Sequence, residues 1–190
     1  MDEEFYQKAL DNILIANKYS IQLKDDYITN KTIYFIAQNK IYLGNYEDAN
    51  KELKICLAYF KNNLDGTSTL GKNYQMYYIY SLISYLETNT KIGKQNENDA
   101  LIKEVLEYLQ KKDLNIYIPY FISIQGTDAY YNKDYNTAIA KLKEALKLYN
   151  DQWSHITEVY YLGLSNWKLG KHNVAIKYLE EIDKEFYDFS

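Results

Sequence analysis

The chain has 190 residues, of which 47% are hydrophobic, with only one proline and seven glycines. This balance excludes a disordered chain and argues against a turn-rich sheet protein. The net charge is −4 and all 22 basic residues are lysine, so we expect no direct binding of nucleic acid and no arginine-based phosphate site.

No apolar run reaches the ~18 residues that a membrane span needs. The acidic first residues lack the apolar region of an export signal. The single cysteine, Cys56, cannot form an internal disulfide, which is typical of a reducing compartment. These three features together predict a cytoplasmic protein with no membrane partner.

The spacing of apolar residues predicts an all-α protein of about nine helices. Asn45, Asn98 and Asp134 stand where helix N-caps belong, and Pro119 suits a first helical turn. The first helix either caps a stack or represents half a repeat. The polar segments 63–71 and 88–98 are expected to be loops. In chain order the helices are expected at 3–18, 27–43, 46–62, 72–88, 98–111, 117–131, 135–149, 152–168 and 172–186.

Similar residues recur in register in three parts of the chain. Gly126 and Gly163 are 37 residues apart, as are Ala138 and Ala175. The three sets are Ile36, Ala37, Gly44, Tyr46, Ala49, Leu53 and Cys56; Gly126, Tyr135, Ala138, Leu142 and Ala145; and Leu162, Gly163, Gly170, Ala175, Leu179 and Ile182. On these residues the chain resembles the tetratricopeptide repeat family, whose unit of about 34 residues is a pair of antiparallel helices.

The resemblance implies one domain, residues 1–190, folded as a right-handed α-solenoid. Its parts would be an N-terminal helix and linker at 1–26, repeats at 27–62, 117–149 and 152–186, and a degenerate repeat at 72–111 with Ser81 as its small residue. The small residue of each first helix and the alanine of each second helix are expected to meet where the two helices cross. All six of these residues should be buried: Ala37, Ala49, Gly126, Ala138, Gly163 and Ala175.

In this family the first helix of each repeat lines a concave groove that binds a peptide or a protein segment. Here the groove would mix aromatic rings, which give contact area at low entropic cost, with amides and hydroxyls. Two interpretations stand: enrichment for binding, or the chance placement of 23 tyrosines. The groove residues would be Tyr34, Gln38, Tyr42, Gln75, Tyr78, Tyr85, Tyr120, Thr127, Tyr130, Tyr131, Tyr160, Leu164 and Trp167.

Sequence signatures of catalysis are missing. The chain has no glycine-rich phosphate loop, no G-x-S-x-G and no H-E-x-x-H. Its two histidines, His155 and His172, fall in different predicted helices, and Cys56 occupies a core slot of its repeat. We therefore predict that the chain is not an enzyme and holds no metal or cofactor.

The lysine-, asparagine- and tyrosine-rich composition and the divergent repeats are also similar to the sensor region of Rgg/PlcR/Rap-type bacterial peptide receptors. That similarity implies a cytosolic regulator that senses a short signalling peptide in quorum sensing and transcription regulation, and it is compatible with a homodimer. The helix-turn-helix of many such receptors has no counterpart here. The chain is then a fragment, a receptor that acts without DNA, or an unrelated repeat protein; a scaffold or chaperone-like adaptor for a larger protein is the competing function.

Overall fold

The structure, a computed structural model, describes residues 3–64, 69–149 and 155–187 and is all-helical over these ranges, with nine α-helices and no β-strand. Every predicted helix is present, and most ends agree within a few residues. The predicted start of the eighth helix at residue 152 lies outside the described residues. The helices are α1 (Glu3–Gln22), α2 (Asp26–Tyr42), α3 (Tyr46–Asn62), α4 (Thr69–Lys91), α5 (Asn98–Lys111), α6 (Ile118–Tyr131), α7 (Tyr135–Leu148), α8 (Ile156–Lys168) and α9 (His172–Tyr187).

The helices form two compact units, Met1–Lys94 and Gln95–Ser190. In the first unit α1, α2, α3 and α4 pack in chain order, and α2 also contacts α4. In the second unit α5, α6, α7, α8 and α9 pack in chain order, and α6 also contacts α8. The boundary between the units lies inside the predicted degenerate repeat 72–111, between α4 and α5.

Six helices, α1, α2, α4, α5, α6 and α8, end in the same turn. The second residue after each of these helices has a positive φ. The residue that follows it donates its N–H to the carbonyl five positions earlier, as Asp134 does to Ala129 at 2.9 Å. This is the Schellman arrangement, which closes a helix with one left-handed residue. The left-handed residues are Lys24 (φ 56°), Gly44 (77°), Gly93 (78°), Asp113 (56°), Lys133 (64°) and Gly170 (74°).

The small residues predicted at helix crossings are all buried, and the two glycines also approach a leucine that was not predicted to meet them. A Cβ on Gly126 would lie 2.7 Å from Leu142 Cγ, and one on Gly163 would lie 2.8 Å from Leu179 Cδ2. In both pairs the first helix approaches the leucine one turn beyond the alanine. The Cβ on Gly163 would also lie 3.5 Å from the Ala175 carbonyl oxygen, as the predicted crossing requires. The meeting of Gly126 with Ala138 stays a prediction, and both residues are buried.

Helix α4 extends further than the sequence predicts at both ends. It begins at Thr69, inside the predicted loop 63–71, and includes Thr88, Asn89 and Thr90, inside the predicted loop 88–98. These three residues are at most 2% exposed. Asn50 of α3 donates to Thr88 Oγ1 and Asn89 Oδ1, at 2.8 Å each, so polar residues are satisfied inside the first unit and the helix continues.

Of the three predicted N-cap positions, Asn45 and Asp134 are confirmed and Asn98 is wrong. Asp134 caps α7 by accepting a hydrogen bond from the Thr137 amide at 3.1 Å. Asn45 precedes α3 but makes no capping bond through its side chain. Asn98 lies within α5, and its buried side chain donates to Asp128 Oδ2 at 2.9 Å.

Over the described residues, no helix combines the length and the apolar character that crossing a bilayer requires.

Candidate functional site

In the first unit, two of the predicted groove residues hold helices together. Gln38 of α2 donates to Ser84 Oγ of α4 at 2.7 Å. The Tyr34 ring meets Tyr77 of α4 edge to face at 5.7 Å between centroids, and burial raises the pKa of the Tyr34 hydroxyl well above the ordinary value. Tyr34 and Gln38 therefore contribute to the packing of α2 on α4.

The other four predicted groove residues of this unit differ widely in exposure. Tyr42 is 56% exposed, and its ring stacks on Tyr6 of α1 at 4.5 Å between centroids. Tyr78 is only 5% exposed. Gln75 and Tyr85 are half-buried. The structure does not place these six side chains on one open aromatic surface.

Half of the ten tyrosines of α2, α3 and α4 instead form a packed aromatic cluster: Tyr27, Tyr34, Tyr59, Tyr74 and Tyr77. The Tyr77 ring stacks on Phe60 at 5.3 Å, and Tyr27 meets Tyr74 edge to face at 5.3 Å. Lys31 lies over the Tyr77 ring at 5.5 Å, at a distance typical of cation–π contacts. The richness of this unit in tyrosine is therefore used largely for packing.

The second unit holds a different arrangement, which we call the aromatic surface: Tyr130, Tyr131, Tyr160, Leu164 and Trp167. Tyr160, Leu164 and Trp167 follow each other at helical spacing on α8. Tyr131, Tyr160 and Trp167 are 39%, 44% and 50% exposed. All five were predicted as groove residues, and α6 and α8 bring them together.

Buried Tyr161 supports this surface from below. Its ring centroid lies 5.1 Å from Tyr130, 6.0 Å from Tyr131 and 5.4 Å from Tyr160. The hydroxyl oxygens of Tyr131 and Tyr161 are 3.1 Å apart, within hydrogen-bonding distance. Burial, aided by the nearby hydroxyls of Tyr135 and Tyr160, raises the pKa of Tyr130. The exposed rings are thus held by buried ones.

An open pocket adjoins the aromatic surface between α8 and α9. It has a volume of about 360 Å³ and is lined by Tyr160, Ile176, Leu179, Glu180 and Ile182. A volume of this size holds one or two side chains, and most of the lining is apolar. The sequence alone did not identify this pocket, because its lining comes from two helices.

Tyr120 and Thr127, the remaining predicted groove residues, lie on α6. Thr127 Oγ1 donates to the Ser123 carbonyl at 3.2 Å, so it returns a hydrogen bond to its own helix. The Tyr120 ring meets Tyr149 edge to face at 5.2 Å. Tyr120 therefore belongs to a second aromatic group at the start of α8.

Glu158, which the sequence analysis did not select, lies at the centre of that group. It is only 6% exposed. Ser123 Oγ donates to Glu158 Oε1 at 2.6 Å, and Tyr149 OH donates to the same oxygen at 2.9 Å. The Tyr149 ring stacks on His155 at 4.1 Å. The sequence did contain one signal for Glu158, since helical spacing puts this acid on the same face of α8 as Tyr161 and Ser165.

The residues with catalytic potential are engaged in packing. Cys56 lies 3.4 Å from the Leu53 carbonyl oxygen and 3.5 Å from Ser81 Oγ, and burial raises the pKa of its thiol to about 11. The His172 ring packs on Trp167 at 4.4 Å. Within the described ranges, no three His, Cys, Asp or Glu side chains are grouped so as to hold a metal ion.

Comparison with protein-family models, with curated proteins and with solved structures finds no match to this chain.

Proposed function

We propose that this chain binds a peptide or protein segment at the aromatic surface of its second unit and carries out no catalysis. The observation that supports this function is a set of three half-exposed rings: Tyr131 and Tyr160 pack on the buried Tyr161, and Trp167 packs on His172. Rings held in place before binding lose little entropy when a ligand covers them. Aromatic side chains of this kind dominate the energetics of peptide interfaces.

The ligand that suits this surface is a short segment with apolar side chains. An apolar anchor residue would enter the pocket beside Tyr160, whose lining includes Ile176 and Leu179. The hydroxyls of Tyr131 and Tyr160 would bond the ligand backbone, since tyrosine offers both an apolar ring and a polar group. Binding such a ligand requires no arginine in the protein, and neither a phosphate group nor a cofactor.

The family and the cellular role are part of the same proposal. We infer a right-handed tetratricopeptide-type solenoid in a cytosolic regulator that senses a signalling peptide and does not itself bind nucleic acid. The in-register glycines, the shared Schellman turns and the contacts of α2 with α4 and of α6 with α8 support the repeat architecture. The buried thiol of Cys56 supports the absence of catalysis.

A second function, that of an adaptor for a larger protein, is favoured by α1. Ile15, Tyr19 and Leu23 follow one another at four-residue spacing and are 55%, 60% and 78% exposed. A row of this kind on one helix face is typical of a protein contact. An adaptor would bind through this row and would not depend on the aromatic surface.

The test is selection of binders from a random library of synthetic heptapeptides, followed by titration calorimetry of the best sequence. We expect the Tyr160→Ala, Trp167→Ala double variant to lose affinity by more than about tenfold, because interface aromatics typically contribute 1 kcal/mol or more each. Tyr19→Ala, at an even more exposed tyrosine on α1 (60%), is the control and should bind normally. Loss of binding in Tyr19→Ala alone would favour the adaptor.

A further inference from the structure

A buried acid with no cationic partner among the described residues lies in the second unit. Glu158 is 6% exposed, and the hydrogen bonds that it accepts from the described part of the chain come from two neutral hydroxyls, those of Ser123 and Tyr149. Both hydroxyls bond Oε1, so within the described residues Oε2 accepts no hydrogen bond and no lysine pairs with the carboxylate. A buried carboxylate is costly unless a cation or further donors compensate it.

A small aromatic group adjoins this carboxylate. Tyr149 bonds it through its hydroxyl, and the Tyr149 ring stacks on His155 at 4.1 Å and meets Tyr120 edge to face at 5.2 Å. A carboxylate beside electron-rich ring faces is the chemistry that recognises an ammonium group, since the acid supplies the countercharge and the rings supply cation–π attraction. The half-buried Tyr120 and Tyr149 leave part of these rings accessible.

We propose that Glu158, with Tyr120, Tyr149 and His155, forms a binding site for a primary ammonium group, carried by the N-terminus or a lysine of the bound segment. The inference rests on the proposed function, and it names the charged group by which the segment is anchored. The ammonium donates to Glu158 Oε2, while Ser123 and Tyr149 hold Oε1 and fix the carboxylate. Apolar side chains of the same segment bind at the aromatic surface.

The first test uses small probes and does not require the natural segment. Phenethylammonium and the near-isosteric but neutral phenethyl alcohol are titrated into the full chain, with the His155 ring resonances followed by NMR. We expect saturable shifts from the ammonium and none from the alcohol at equal concentration. Equal shifts from both probes, or no saturable shift from the ammonium, would overturn the proposal.

The decisive variant is Glu158→Gln, which retains an oxygen acceptor for Ser123 and Tyr149 and removes the charge. We expect its thermal midpoint to stay within a few degrees of the wild type and its affinity for phenethylammonium to fall roughly 10- to 100-fold, the range expected when a hydrogen bond to a charged group is lost. Undiminished ammonium binding in this variant would show that Glu158 serves only structure.

The library-selected heptapeptide separates this inference from the proposed function. We expect N-terminal acetylation of a peptide without lysine to weaken binding to the wild type and to leave binding to Glu158→Gln unchanged. If acetylated and free peptides bind wild type equally, the ammonium site is wrong and peptide binding stands. If no heptapeptide binds while phenethylammonium does, the proposed function fails and the ammonium site stands.

Discussion

Gly126 and Gly163 are placed where a single methyl group would collide with a leucine of the next helix. For Gly126 the nearest atom, Leu142 Cγ, would be 2.7 Å from the new Cβ, and the Leu142 backbone nitrogen would be 3.1 Å away. Because the backbone cannot move as a side-chain end can, the close approach of α6 and α7 depends on the missing side chain. Glycine is required here by packing, since its φ is an ordinary helical one.

We predict that Gly126→Ala lowers the free energy of unfolding by ~1–3 kcal/mol, the usual cost of overpacking, although alanine has the better helix propensity by about 1 kcal/mol. The same substitution in a Leu142→Ala background should cost clearly less, because the side-chain clash is gone and only the tight contact with the residue 142 backbone nitrogen at 3.1 Å remains. Urea unfolding of the four proteins in this double-mutant cycle measures both effects. An equal effect of Gly126→Ala in both backgrounds would refute the packing argument.

The role of a single residue could be predicted where it depends on neighbours in the sequence, and could not where it depends on residues from distant helices. Tyr160 and Trp167 were selected because the repeat resemblance assigns them to the groove face of one helix, a local assignment that needs no distant residue, and the structure leaves both half exposed. Glu158 was not selected because its role depends on Ser123 and Tyr149, which come from α6 and from the end of α7. No local pattern in the sequence joins these three residues.

Among the helices, positions were predictable and some ends were not. Apolar periodicity located all nine, because it reflects burial of one face. The C-terminal end of α4 was not predicted, because Thr88 and Asn89 look like loop residues and Asn50, which bonds both side chains, is 38 and 39 residues away in the sequence. The Schellman turns at the ends of six helices were only partly predictable from the sequence, because lysine or aspartate replaces glycine in three of them.

Those substitutions give a prediction for the turn after α6. Lys133 has a φ of 64°, a conformation that costs a residue with a Cβ about 1–2 kcal/mol relative to the right-handed region. We predict that Lys133→Gly raises the free energy of unfolding by ~1 kcal/mol. The matched control is Lys112→Gly, since Lys112 has a φ of −97° at the end of α5 and should gain nothing. Chemical denaturation decides, and stabilisation of both variants would contradict this explanation.

At the scale of the whole molecule, the two units use their aromatic residues differently. In the first unit tyrosines pack on one another and on Phe60, which is fully buried. In the second unit Tyr161 is buried while Tyr131, Tyr160 and Trp167 stay half exposed. Composition could not separate the two uses, because both units are rich in tyrosine. The proposed binding function therefore depends on the second unit, and the organisation of all 190 residues as one domain stays a prediction.

The most direct test of peptide binding at the aromatic surface is the fluorescence of Trp167 in a Trp153→Phe variant, where it is the only tryptophan. The indole of Trp167 is 50% exposed, so a peptide that covers it removes water from the ring. We predict a blue shift of the emission that saturates with the dissociation constant measured by calorimetry. Unchanged emission at peptide concentrations that saturate the calorimetric signal would contradict the account.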